Sequence, residues 1–90
     1  MSMAVKLISY HPDFVSDLHH LTAIEVKQAA KAERLLQENP FHPSLRLHAL
    51  HGTLKGIWTI SVNRRLRIFF QTKEAGYVCF LAIGPHEHLK

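Results

Sequence analysis

Arginine and histidine side chains recur in the second half of the sequence in a pattern that could bind and cleave a phosphodiester. Arg46 and His48 lie two residues apart, Arg67 follows in a later segment, and His86 stands near the end. An arginine guanidinium can give a phosphate two parallel charge-assisted hydrogen bonds. A histidine can take up or release a proton near neutral pH. Together they suit metal-free RNA cleavage, in which a base removes the 2′-OH proton, arginines stabilise the phosphorane, and an acid protonates the leaving 5′ oxygen.

The first half of the chain has the pattern of one strand and two helices. Residues 4–9 are apolar-rich and predict a strand, and Pro12 fits the first turn of a short helix. Thr22 begins a Thr-x-x-Glu capping box, which predicts the start of a second helix. Asn39 and Pro40 would end it, because the residue before a proline avoids the helical conformation. We expect the two helices to form a hairpin on one side of the protein.

From Leu45 onward the hydrophobic period changes from 3.6 to 2, which predicts a meander of β-strands that begins at this residue. A three-residue loop at residues 63–65 would pair Ile60 with Ile68 and keep the apolar faces consistent. A two-residue loop would instead place Arg67 opposite Ile60, with a charge on the apolar face. The run at residues 77–83 is apolar on both faces and predicts a central strand that is covered on both sides.

One face of this sheet would collect basic side chains. Alternation places Arg46, His48 and Arg67 on it, and the flanking turns and the segment after the last strand add further cations. The candidates for binding a polyanion are Arg46, His48, His51, Lys55, Arg64, Arg65, Arg67 and His86. Any single one of these, taken alone, is more often a solvated surface residue. The spacing therefore favours binding of a polyanion, most plausibly RNA, over catalysis.

The elements together predict an α+β fold. An N-terminal strand and a helical hairpin would pack on a small, twisted, mainly antiparallel β-sheet, in a single domain that spans residues 1–90. The chain has 11 Lys and Arg against 7 Asp and Glu, a formal net charge of +4, and eight His that add positive charge at lower pH. This excess indicates an acidic partner, such as nucleic acid, an anionic membrane surface or an acidic protein.

Cysteine usage and hydropathy predict a cytoplasmic protein without a membrane segment. Cys79 is the only cysteine, so an internal disulfide is excluded, which fits a reducing compartment. No apolar run approaches the length of a membrane span, and we expect no signal peptide. His86 and His88 have neither a nearby cysteine nor a helical His-x-x-x-His partner, which disfavours a zinc site. We therefore predict no metal and no cofactor.

Five segments of the chain and its strand–helix–helix–meander order resemble the RelE/ParE toxin superfamily, the toxin halves of bacterial toxin–antitoxin modules. The resemblance covers essentially the whole chain and is greatest for the YafQ, RelE and HigB type, which are mRNA interferases that cut mRNA in the ribosomal A site. The segments that carry it are Asn39-Pro40-Phe41-His42-Pro43-Ser44-Leu45, Leu47-His48-Ala49-Leu50-His51-Gly52, Lys55-Gly56-Ile57-Trp58-Thr59-Ile60, Arg65-Leu66-Arg67-Ile68-Phe69-Phe70 and Ile83-Gly84-Pro85-His86-Glu87.

The resemblance implies a metal-independent, ribosome-dependent endoribonuclease that a cognate acidic antitoxin holds inactive. Arg67 falls where these toxins keep an arginine that contacts the scissile phosphate. His86 falls in a Gly-x-His element that holds a catalytic histidine in YafQ-like members, and His48 matches a histidine of that subgroup. Lys55 matches a basic residue in a β-turn that contacts RNA. Which histidine is the base and which is the acid stays open.

The chain departs from the family pattern at three places. Ser61 stands where YafQ-like members have a second histidine, and Arg64-Arg65 stand where they have an acidic residue. Leu89-Lys90 end the chain where many members have an aromatic residue. These departures leave two alternatives, a ParE-type DNA gyrase inhibitor and a catalytically degenerate module that only binds an antitoxin.

Overall fold

Two helices pack on one face of a five-stranded sheet in the computed structural model, which describes residues 4–89. The sheet order is β1-β5-β4-β3-β2, in which β1 runs parallel to β5 and the other neighbours are antiparallel. This architecture confirms the predicted α+β fold. The elements are β1 (Leu7–Tyr10), α1 (Pro12–Leu18), α2 (Ala23–Glu38), β2 (His48–Ala49), β3 (Ile57–Ser61), β4 (Arg67–Thr72) and β5 (Tyr77–Gly84).

Local capping signals determine where the helices begin. Pro12 occupies the first turn of α1, where its missing N–H leaves no donor unsatisfied. At the start of α2, the Glu25 N–H donates to the Thr22 hydroxyl at 3.1 Å, and the Thr22 N–H donates to the Glu25 carboxylate at 3.0 Å. The predicted capping box is therefore present, and α2 ends at Asn39 as expected. Among residues 4–89, no helix is long and apolar enough to cross a membrane.

The strand predicted from Leu45 onward is much shorter than the alternation suggested. A 3₁₀ turn occupies Pro43–Leu45, and the strand itself covers only His48–Ala49. The turn is stabilised by His42, whose Nδ1 accepts the Ser44 N–H at 3.2 Å. Leu45 is fully buried in the core, so its apolar character reflects packing of the turn and not of a strand.

The β3–β4 hairpin has the predicted register. Ile60 pairs with Ile68 and Ser61 with Arg67, so the loop contains residues 63–65. The Asn63 side chain closes this loop, because its Oδ1 accepts the backbone N–H groups of residues 65 and 66 at 2.9 and 2.8 Å. An asparagine side chain that accepts a hydrogen bond from the backbone N–H two residues later commonly stabilises a turn.

A β-bulge in β5 changes which face its side chains occupy. Phe69 pairs with Ala82 whereas the next residue, Phe70, pairs with Phe80, so Leu81 is an extra residue. Phe80 belongs to the core under the helices, and strict alternation would send residues 82 and 84 there as well. The bulge instead turns Ala82 and Gly84 to the opposite face, which carries Arg67.

Tyr10 makes a hydrogen bond from its hydroxyl to the Glu33 carboxylate and gives a testable pH dependence. Burial, the hydrogen bond and the negative charge of Glu33 raise the Tyr10 pKa from 10.0 to about 12. The neutral phenol is therefore favoured in the folded state, and its contribution to stability is complete below pH 10. It is lost as the pH rises from 10 to about 12, because the unfolded chain releases the proton first.

Urea unfolding of the wild-type protein and of Tyr10→Phe across this pH window measures the effect. The free energy of unfolding should fall more steeply with pH in the wild type than in the variant. Parallel curves would show that the phenol ionises as easily in the folded state as in the unfolded chain.

Candidate active site

A groove of about 670 Å³ opens beside the β3–β4 hairpin, on the face of the sheet opposite the helices. Three of the arginines that the sequence predicted for polyanion binding line it, together with small polar side chains. None of these three arginines forms an ion pair with a carboxylate of residues 4–89. The groove is lined by Arg46, Arg64, Arg67, Ser44, Ser61, Asn63, Pro43 and Val62. It is therefore a concave site with unneutralised positive charge.

Arg67 lies at the start of β4, the middle strand of the sheet. Its Nε donates to the Thr59 hydroxyl at 3.2 Å, which aims the guanidinium along the sheet towards β2. Partial burial lowers the Arg67 pKa, and the neighbouring Arg46 cation lowers it further. Arginine nevertheless remains charged in proteins. Because both effects disfavour the cation, a bound phosphate would relieve an existing electrostatic cost at this position.

Arg46 reaches the groove from a strained backbone position. It follows the 3₁₀ turn at Pro43–Leu45 in the left-handed conformation, with φ 47° and ψ 46°. For a residue with a Cβ atom this conformation costs roughly 1–2 kcal/mol. The side chain lines the groove, and its charge acts on Arg67, so the strained residue lies at the candidate site.

Comparing Arg46→Gly with Arg46→Ala should separate the effect of backbone strain on stability from the effect of charge on RNA binding. We expect Arg46→Gly to be more stable than Arg46→Ala by about 1 kcal/mol, because only glycine adopts a positive φ without cost. Both variants lose the same charge and should bind RNA equally weakly. Urea unfolding measures the difference in stability. RNA titration at several salt concentrations measures whether the two variants bind equally. Equal stabilities of the two variants would contradict the assignment of strain.

His48 lies on the same face, where it pairs with Thr59 across β2 and β3. Its Nδ1 is 3.1 Å from the Arg46 carbonyl oxygen and 3.4 Å from Nη2 of Arg67. A neutral imidazole nitrogen cannot donate to one and accept from the other at once. The shorter contact favours a proton on Nδ1, donated to the carbonyl. Nε2 then carries the lone pair, which makes His48 suited to accept a proton.

The remaining predicted cations lie outside the groove. Arg65 points to the helix side of the sheet, where its Nη2 is 2.8 Å from the Glu25 carboxylate. The Glu25 pKa is lowered by the Thr22 backbone N–H and then by Arg65. His51 and Lys55 are exposed on either side of a 3₁₀ turn at the opposite end of β3, roughly 13 Å along the strand from Ser61.

Solved structures share this architecture, although no protein-family model and no curated protein matches the sequence. A metal-bound toxin from Helicobacter pylori superposes with a TM-score of 0.77 at 25% identity, over 98% of this chain and 100% of that one. YafQ from E. coli strain BL21(DE3) gives 0.76 at 19% identity, over 91% and 94%. A YoeB/ParE toxin from Agrobacterium tumefaciens gives 0.76 at 15% identity, over 90% and 99%.

The chain has the fold of the RelE/YafQ-type toxin superfamily. The resemblance stated from the sequence is thereby confirmed at the level of the fold. YafQ has also been solved in a toxin–antitoxin complex with DinJ from E. coli.

The departures from the YafQ pattern can be located on this RelE/YafQ-type fold. Ser61 lines the groove opposite Arg67, and its hydroxyl donates to the Asn63 carbonyl at 3.2 Å. Arg64 also lines the groove, whereas Arg65 is paired with α2. Lys90 lies outside the described residues. Within residues 4–89, no group of three or more His, Cys, Asp or Glu side chains is arranged to hold a metal ion.

The segment after β5 places its two histidines differently. The His86 side chain is exposed and forms no hydrogen bond with another described residue. His88 folds back instead, so that its Nε2 lies 2.9 Å from the Asp17 carboxylate of α1. Its ring centroid is 6.5 Å from that of Phe69. Sequence reasoning did not select Asp17 or His88 for the site, and the only local signal was the His-x-His spacing.

Proposed function

We propose that this protein is the toxin of a type II toxin–antitoxin module and acts as a metal-independent, ribosome-dependent mRNA endoribonuclease. The observation that carries the proposal is the groove in which Arg46, Arg64 and Arg67 lie without carboxylate partners among residues 4–89. Beside them lies the His48 imidazole, whose Nε2 forms no hydrogen bond with a described residue. Such a site suits the phosphate of a single RNA strand. The RelE/YafQ-type fold is consistent with this activity.

In this proposal the basic residues of this face have different tasks. Nε2 of His48 would remove the proton from the ribose 2′-OH, and the Arg67 guanidinium would stabilise the charge that develops on the phosphorane. Arg46 and Arg64 would bind adjacent phosphates. His51 and Lys55 would contact RNA beyond the groove. Arg65, paired with Glu25, is not needed for the site.

We further propose that a cognate acidic antitoxin binds the protein in the cytoplasm. YafQ, which shares the fold, is seen in a complex with DinJ that is described as toxin and antitoxin. The formal net charge of +4 favours an acidic partner. Large apolar side chains are exposed on the helical side, among them Tyr10, Val26 and Ile24. An acidic and partly disordered chain could cover both kinds of surface.

Primer extension on cellular mRNA after induction of the protein tests the activity. We expect cuts within coding regions that disappear when the start codon of the reporter mRNA is removed, because cleavage then lacks a translating ribosome. Growth arrest without mRNA fragments would contradict the proposal. A neighbouring reading frame that encodes a small acidic protein, whose co-expression restores growth, would support the module.

A ParE-type gyrase inhibitor is the second candidate. It is favoured by Ser61, which replaces a family histidine in the groove, and by the structural likeness to a YoeB/ParE toxin. This function predicts covalent gyrase–DNA complexes and a DNA-damage response with intact mRNA. A degenerate module predicts no growth arrest at all. The same induction experiment therefore separates all three functions.

A further inference from the structure

The His88 imidazole occupies the space that a side chain on Gly84 would fill. A Cβ built on Gly84 would lie 2.4 Å from Cγ, 2.6 Å from Nδ1 and 2.8 Å from Cδ2 of His88. Gly84 is the direct cross-strand partner of Arg67. The His88 ring therefore fills the space beside Arg67 that Gly84, which has no side chain, leaves open.

This position belongs to the face that carries the groove. Residues directly opposite each other on antiparallel strands project to the same side, with Cβ atoms about 4.5–5.5 Å apart. The bulge at Leu81 is what brings Gly84 to this side. Because β5 and β2 lie on opposite sides of β4 in the sheet order, His88 and His48 flank Arg67 from opposite directions.

Asp17 fixes the orientation of the His88 ring. Its Oδ2 accepts the Ile83 N–H of β5 at 3.0 Å and lies 2.9 Å from Nε2 of His88. The Asp17 side chain is 23% exposed, and the helix that carries it packs on β5. A carboxylate can only accept, so Nε2 carries a proton and Nδ1 is the nitrogen that exchanges one with a substrate. His86 has no such partner within the described residues.

We propose that His88 is the catalytic acid of this site and that Asp17 is its positioning residue; the inference rests on the proposed ribonuclease function. His48 takes the proton of the 2′-OH, and the 2′ oxygen attacks phosphorus. The bond from phosphorus to the 5′ oxygen breaks, and Nδ1–H of His88 supplies the proton that this oxygen needs. The products are a 2′,3′-cyclic phosphate and a free 5′-OH, and solvent returns both imidazoles to their starting states.

A substrate with sulfur in place of the 5′ bridging oxygen tests the assignment, because a thiolate leaves without a proton. Ribosome-bound mRNA with oxygen or sulfur at the scissile position is cleaved by wild type, His88→Gln, His86→Gln and His48→Gln. We expect His88→Gln to lose about 10²–10⁴-fold on the oxygen substrate and to recover on the sulfur substrate. His48→Gln should be slow on both substrates. His86→Gln tests the competing histidine, and loss on the oxygen substrate with recovery on sulfur in His86→Gln but not in His88→Gln would overturn the assignment.

The outcomes separate the assignment from the function. A wild-type protein that cleaves neither mRNA would overturn the proposed function and the assignment with it. A wild-type protein that cleaves, with His88→Gln equally fast on the oxygen substrate, would overturn the assignment alone. Loss in His88→Gln without recovery on sulfur would also overturn it, since the residue would then act on structure.

Two further variants keep the test independent of removing His88 itself. Asp17→Asn keeps one oxygen for the two contacts that Oδ2 makes but removes its negative charge, which should weaken the preference for a proton on Nε2 of His88. ¹⁵N NMR of the imidazole nitrogens reads this change directly, and unchanged His88 resonances would overturn the role of Asp17. Gly84→Ala should displace the ring and reproduce the sulfur-dependent recovery. Oxygen-substrate cleavage at the wild-type rate by Gly84→Ala would overturn the placement of His88.

Discussion

Replacing Arg67 by alanine is expected to slow mRNA cleavage by about 10²–10³-fold, the loss typical of removing a preorganised donor to transition-state charge. The Arg67 guanidinium is held in place by a hydrogen bond from its Nε to the Thr59 hydroxyl. Its pKa is lowered by burial and by Arg46, so the free cation is disfavoured at this position. Single-turnover cleavage of ribosome-bound mRNA measures the effect. Arg67→Lys keeps the charge but loses the planar guanidinium, so its cleavage rate should lie between those of the wild type and Arg67→Ala.

Arg65→Ala provides the matched control for Arg67→Ala. It removes the same charge from a position two residues away, but its side chain is paired with Glu25 on the helix side. We expect cleavage close to the wild-type rate and little change in stability, because exposed ion pairs contribute little to it. Equal losses of activity in Arg65→Ala and Arg67→Ala would show that net charge, and not the groove, determines activity.

Phe80→Ala should cause a large loss of stability. Phe80 is fully buried, and its ring centroid lies 5.8 Å from Tyr10, 5.3 Å from Phe14 and 6.1 Å from Phe70. These contacts join β1, α1 and β4 around β5. Truncating a buried phenylalanine costs about 3–5 kcal/mol. Small domains have only about 5–15 kcal/mol of stability, so the midpoint of thermal unfolding should fall by at least about 12 °C.

Phe41→Ala is the corresponding control, because it removes the same ring from a side chain that is 58% exposed. Its free energy of unfolding should stay within about 0.5 kcal/mol of the wild type. Circular dichroism during thermal and urea unfolding measures both variants. Similar losses in Phe41→Ala and Phe80→Ala would contradict the placement of the core around β5.

Those features that depend on a few neighbouring residues were predictable from the sequence. The capping box at Thr22 and the end of α2 at Asn39 follow from side chains that bind backbone groups within four residues. The hairpin register around residues 63–65 follows because a slip of one residue would bury Arg67. These local rules gave the α+β fold and placed Arg46, His48 and Arg67 on one face.

The composition of the site depended on contacts between distant parts of the chain. Arg65 leaves the groove because Glu25, 40 residues earlier, accepts its hydrogen bond. His88 enters the face because Asp17, 71 residues earlier, holds its ring. Strict alternation along β5 does not predict this placement. The bulge at Leu81 turns Gly84 to the face that carries Arg67, and the strand is apolar on both sides, so its sequence does not show the change. The sequence by itself determined the fold and a basic face, and tertiary packing decided which of its cations and imidazoles meet there.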